Sequence, residues 1–87
     1  PYTLEIYEAP DGRCPFTDWF DGLRDAQVAQ KVNARLNRLT YGNPGDTKPI
    51  GDGLHELRIH VGPGWRVYFG YDGPRVVLLL TGSDKSG

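Results

Sequence analysis

The sequence predicts an α+β fold in one domain. An N-terminal strand leads into a two-helix hairpin and then a three-stranded antiparallel meander, forming one twisted sheet with the helices packed on one face. Three observations carry this expectation. The opening residues alternate apolar and polar with period two, residues 28–39 hold an apolar stripe at helical spacing, and residues 54–81 contain three strand-like runs separated by Gly- and Pro-bearing turns.

In "YTLEIYEA", Tyr2, Leu4 and Ile6 alternate with Thr3, Glu5 and Tyr7, as a half-buried strand requires. "PDGR" is turn chemistry. Thr17 or Asp18 then suits the N-cap of a short helix carrying Trp19, Phe20 and Leu23, and Gly22 weakens its end. Asp25 suits the cap of a second helix, in which Val28, Val32, Leu36 and Leu39 face a core. Gly42, Pro44 and Gly45 in "YGNPGD" stop it. The expected strands are 54–61, 65–71 and 75–81, with "VGPGW" and "YDGPR" as turns. "RVVLLL" is apolar without alternation, so this last strand belongs inside the sheet.

With 87 residues the chain has one modest core, and 38% hydrophobic with 24% charged residues is an ordinary soluble composition. The longest apolar run, 76–80, is far short of a membrane span, and the first residues carry acids where a secretory signal has a basic region. The single cysteine, Cys14, excludes an internal disulfide and suits a loop, so a cytoplasmic protein with no membrane partner is expected. A net charge of −1 argues against a nucleic-acid partner, but the charge is unevenly distributed. Residues 1–25 carry six acids and two bases, whereas 26–87 carry five acids and eight bases, which leaves room for a local basic surface. The chain starts at Pro1, without Met, and the native protein is expected to extend past both ends.

The chemistry-bearing residues gather in "ELRIHVGPGWRVYFGY". A three-residue Gly62-Pro63-Gly64 loop with Val61 opposite Trp65 sets Ile59 against Val67 and Leu57 against Phe69 on one side. On the other side His60 faces Arg66, Arg58 faces Tyr68, and Glu56 lies near Gly70. An even-length loop would mix apolar with polar, so an odd loop is expected. The polar face then collects Glu56, Arg58, His60, Arg66 and Tyr68. Taken singly, a strand arginine is more often half of a surface ion pair, and a strand histidine more often faces solvent. Five such groups together suit an anionic ligand, phosphodiester foremost. Arginine offers a planar donor fork, histidine titrates near neutral pH, and tyrosine donates a proton or stacks on a base. Lys31, Arg35 and Arg38 fall within about 60° of one another around the second helix, either as a solvated face or as a phosphate-tracking rim. His55, His60 and Cys14 lack metal-ligand spacing, and no nucleophile elbow, Walker loop or dinucleotide fingerprint occurs, so no metal or cofactor is expected.

The element order resembles the RelE/ParE toxin superfamily and, more narrowly, the HigB-type phage-derived addiction-module killer proteins. The resemblance rests on "PFTDWFDGL" (15–23), "RLNRLTYGNPGDTKPIGDGLHELRI" (35–59), "GPGWRVYF" (62–69) and "LLLTGSDKS" (78–86). It implies a RelE-like fold and the toxin of a type II toxin–antitoxin module. Such a toxin is a ribosome-dependent mRNA endoribonuclease that inhibits translation and is held inactive by a cognate, HigA-like helix-turn-helix antitoxin. By position, Arg66 matches the strand arginine that contacts the scissile phosphate, and Lys85 the basic residue after the last strand. Lys48 more loosely matches a substrate-contacting base. The lysine-rich pattern of RelE is replaced here by Leu54, His55 and Glu56, and the C-terminal segment in which several members place a catalytic tyrosine or histidine lies beyond Gly87.

The implied chemistry is metal-free attack by the RNA 2′-hydroxyl, leaving a 2′,3′-cyclic phosphate. Arg66 and Lys85 would stabilise the phosphorane and Arg58 would hold a neighbouring phosphate. Glu56 or His60 would accept the proton, and Tyr68 would donate one or stack. Two rivals share the fold: a ParE-like DNA gyrase inhibitor without chemistry, and a non-toxic interaction domain. Finally, a turn at Asp72-Gly73 sets Val77 opposite Tyr68 and Leu79 opposite Arg66, which predicts an apolar patch on the polar face for the antitoxin to cover.

Overall fold

The computed structural model describes residues 1–85, so Ser86 of the resembling C-terminal motif lies outside the described residues. The elements are β1 (Thr3–Ile6), α1 (Pro15–Asp21), α2 (Ala26–Thr40), β2 (Thr47–Gly51), β3 (Leu54–Ile59), β4 (Trp65–Asp72) and β5 (Val76–Asp84). They form an α+β domain with a five-stranded sheet in the order β1-β5-β4-β3-β2. β1 runs parallel to β5, and the other neighbours are antiparallel. As its composition suggests, β5 is internal. No helix among the described residues is long and apolar enough to cross a membrane.

The expected meander of three strands has a fourth, since residues 47–51, read from the sequence as loop, form the edge strand β2. Asp52 and Gly53 join β2 to β3 with φ of 56° and 76°, the doubly positive turn whose twist matches a tight hairpin. Pro49 has no N–H to give a further neighbour, and an edge is where a sheet tolerates it.

α1 starts at Pro15 behind Cys14, ahead of the predicted Thr17 or Asp18 cap, because proline at the first turn needs no hydrogen-bond partner. α2 starts where expected: the Asp25 carboxylate accepts from the Gln27 amide at 2.8 Å. Its stripe of Val28, Val32, Leu36 and Leu39, joined by Phe16 of α1, buries against Leu57, Ile59, Val67, Phe69, Val77 and Leu79 on one sheet face. Each such side chain contributes about 1.5–3 kcal/mol relative to exposure.

Two registers differ from expectation. Between β3 and β4, Ile59 pairs with Trp65, Leu57 with Val67, Arg58 with Arg66 and Glu56 with Tyr68. The Gly62-Pro63 pair turns inside residues 61–64, where the Gly64 amide donates to the Val61 carbonyl at 3.0 Å. His60 and Val61 therefore leave the ladder, and the loop has five residues instead of three. It is still odd, so apolar and polar faces stay separate.

Between β4 and β5 the turn spans residues 73–75, setting Val77 against Tyr71 and Leu79 against Phe69. This parity puts both side chains in the core, where they are buried, so Val77 and Leu79 do not form the apolar patch expected of them on the polar face. A bulge opposite Tyr68/Phe69 then skips Leu80, giving Thr81 opposite Tyr68, Gly82 opposite Val67 and Ser83 opposite Arg66. The extra residue turns Gly82 to the helix side. There Trp19 lies flat on it, and a Cβ at this position would sit 2.3 Å from the indole.

Candidate functional site

The helices cover one face of the sheet, and the other carries two cross-strand rows of polar side chains. Lys48, Glu56, Tyr68 and Thr81 make one row, through four strands. Arg58, Arg66 and Ser83 make the next. Lys85 continues the second side of this surface, its amide donating to the Gly64 carbonyl at 2.8 Å. Lys48, Glu56, Arg58, His60, Arg66 and Lys85 line an open cleft of about 340 Å³, with Trp65 among its walls. Six of the ten residues singled out from the sequence are thus brought together. Tyr68 stands beside them in the row of Glu56, on the same face.

Two guanidinium groups directly opposite one another repel, and each has its own carboxylate. Glu56 is 12% exposed and reaches Arg66 at 3.7 Å. The Tyr68 hydroxyl, and then the Glu56 carboxylate, hold the Arg66 pKa above its ordinary value, so Arg66 is a permanent cation. Asp46 serves Arg58: its Oδ1 accepts from Arg58 Nη2 at 2.7 Å and from Nε at 3.2 Å. The other oxygen, Oδ2, lies 2.5 Å from His60 Nε2. The His60 hydrogen bond first, then that from Arg58, depress the Asp46 carboxyl below the usual carboxylate range. Four bases against two acids leave the cleft with surplus positive charge.

Arg35, expected as an RNA-contacting base, instead points inward. It is buried under the loop from α2 to β2, where Nη1 donates to the Arg58 carbonyl at 2.6 Å. Nη2 donates to the carbonyls of Pro44 at 3.0 Å and Asp46 at 3.2 Å. A Cβ on Gly45 would approach this group to 3.0 Å, so the loop needs glycine to close over it. Burial lowers the Arg35 pKa, and nearby Arg38 lowers it further. Two loop carbonyls and one strand carbonyl thus share one cation from α2, which fixes Asp46 relative to Arg58. Lys31 and Arg38 are exposed on α2 and do not line the cleft.

No family model matches the chain, and no solved structure matches it. An uncharacterized protein of Haemophilus influenzae is 45% identical over 71 residues, covering 82% of this chain and 72% of that protein. The chain belongs to that protein's family. Among the described residues of this family member, no three His, Cys, Asp or Glu side chains come together to hold a metal ion.

Asp46 is the site residue that sequence reading missed. The stretch "YGNPGD" reads from the sequence as the stop of α2, a role that its glycines and proline do fill. The available signal was "DG" at Asp52-Gly53, the strongest short hairpin cue. Pairing straight back from that turn sets Lys48 against Leu57; the bulge between Pro49 and Gly51 shifts the register by one, and only then does Lys48 meet Glu56 and Asp46 come beside Arg58.

Proposed function

We propose that the protein is a RelE-like, HigB-type toxin that cuts mRNA on the translating ribosome. The observation that carries this reading is the cleft on the uncovered sheet face, where Arg66, Arg58, Lys85 and Lys48 converge beside His60 and Glu56. A phosphodiester entering it meets a guanidinium fork held charged, with a proton acceptor next to it. The 2′-oxygen attacks phosphorus and gives its proton to a base of the site. The bond from phosphorus to the 5′-oxygen breaks, and that oxygen takes a proton from Tyr68 or water. A 2′,3′-cyclic phosphate remains. Arg66 and Lys85 stabilise the charge that builds on the phosphorane oxygens, and Arg58 holds a neighbouring phosphate. The ribosome supplies much of the substrate positioning, so free RNA is a poor substrate. In this proposal the sheet and its two helices correspond to the RelE arrangement. The partners are ribosome, mRNA and a helix-turn-helix antitoxin encoded with the toxin.

The deciding experiment is expression of the full-length protein in cells followed by mapping of mRNA ends. Cuts in phase with codons support the nuclease. Growth arrest without new ends, accompanied by gyrase-linked DNA breaks, moves the protein to the ParE-like class. Absence of both makes it a non-toxic interaction domain.

A further inference from the structure

We infer that Asp46 is a positioning residue that fixes His60 as its Nε2–H tautomer and leaves Nδ1 as the acceptor of the 2′-hydroxyl proton. The acceptor role rests on the nuclease reading above; the tautomer rests on geometry alone. An ionised carboxylate can only accept hydrogen bonds, so at 2.5 Å from Asp46 Oδ2 the ring nitrogen Nε2 must carry a proton. A neutral imidazole has one N–H. The lone pair therefore sits on Nδ1, on a ring that lines the cleft with Arg66 and Lys85.

Asp46 is well placed to impose this. Two N–H groups of Arg58 fill Oδ1, which leaves Oδ2 to the histidine. The backbone beneath is held as well, since the Asp46 carbonyl accepts from the Arg58 amide at 2.9 Å and from Arg35 Nη2 at 3.2 Å. The carboxylate therefore has little freedom to turn away. Glu56, the other base suggested by the sequence, is engaged differently. It is mostly buried and faces Arg66, so it serves as that cation's counter-charge. Proton transfer falls to His60. The 2′-hydroxyl proton passes to Nδ1 as the O2′–P bond forms and the P–O5′ bond breaks. The resulting imidazolium is stabilised by Asp46 and returns its proton to solvent.

The test combines spectroscopy with kinetics. In ¹⁵N-labelled full-length protein with its imidazole rings neutral, long-range ¹H–¹⁵N spectra should show Nε2 of His60 protonated and Nδ1 bare. Asp46→Asn should reverse this, because the amide NH₂ donates to Nε2 while its oxygen still accepts from Arg58. In single-turnover cleavage of ribosome-bound mRNA, Asp46→Asn and His60→Ala should each slow the reaction roughly 10²-fold or more. The double variant should be no slower than His60→Ala alone. A wild-type Nδ1–H tautomer overturns the inference whatever the kinetics. Cleavage at the wild-type rate by a folded Asp46→Asn variant overturns it too, while loss of cutting by Arg66→Ala in the same assay keeps the nuclease reading. A wild type with the Nε2–H tautomer that cuts no mRNA overturns the nuclease reading and the acceptor role, and leaves the positioning of His60 standing.

Discussion

Arg58 and Arg66 face each other across β3 and β4, and the surrounding acids determine what each can do. Arg58 is held by Asp46 through two hydrogen bonds, whereas Arg66 meets Glu56 only at 3.7 Å. Arg66 is therefore the guanidinium freer to turn toward a phosphate. On the proposed nuclease reading, Arg66→Ala should lower cleavage by roughly 10²-fold or more, as expected for a lost transition-state donor. Arg66→Lys preserves the counter-charge for Glu56 but not the planar fork, and should also be slow while folding normally. Unchanged rates in both folded variants, measured on ribosome-bound mRNA, would remove Arg66 from the chemistry. Asp46 makes a separate prediction about acid. Its pKa is depressed on folding, so its contribution to stability is fully present above the unfolded aspartate value of about 3.9 and is lost as pH falls through the lower folded value. Urea midpoints of wild type and Asp46→Asn should differ at neutral pH and converge below about pH 4. A gap that persists at pH 2 would mean that the carboxylate's charge is not what stabilises the loop.

Packing between elements depends on small parity choices. The bulge in β5 turns Gly82 toward α1, and the Trp19 ring occupies the space a side chain would take. Gly82→Ala should cost about 1–3 kcal/mol, because a contact at 2.3 Å forces the helix to move. Trp19→Ala removes the obstacle, so the two substitutions should be strongly non-additive in a chemical-denaturation cycle. Simple additivity would mean that α1 already seats loosely. The turn at 73–75 has a similar consequence. Val77→Asp and Leu79→Asp place charges in the core formed with α2, and each variant should fail to fold as judged by circular dichroism. Neither can be read as a test of partner binding.

At the scale of the molecule, both helices of the described residues lie on one face of the sheet and the polar rows stay open on the other. Near-neutral net charge therefore conceals a positive cleft. Lys31 and Arg38 lie outside that cleft, and the burial of Arg35 removes it from any charged rim. On the proposed nuclease reading, Lys31→Glu with Arg38→Glu should weaken ribosome association at low salt, with the difference fading as salt rises and folding unaffected. Equal binding by the double variant at low salt would make these residues an ordinary solvated helix face. Arg35→Glu does not belong in that experiment, since it would set a carboxylate against the carbonyls of Pro44, Asp46 and Arg58.

The sequence by itself determined the α+β class, the α2 stripe, the Asp25 cap and the separation of β3 and β4 into an apolar and a polar face. These are local or period-bound properties: a side chain's face follows from its parity, and parity survived even though the 60–64 loop is two residues longer than expected. It also assembled most of the cleft, because Glu56, Arg58 and Arg66 share one parity on adjacent strands. Only the tertiary structure decided the rest. A single bulged residue reversed the outer half of β5, an edge strand formed from a stretch that resembled loop, and Arg35 went inward because carbonyls of the 44–46 loop and of β3 converge there. None of these has a periodic signature in the chain. Each arises where backbone groups far apart in sequence must find partners, and that requirement becomes visible only once the sheet has closed against the helices.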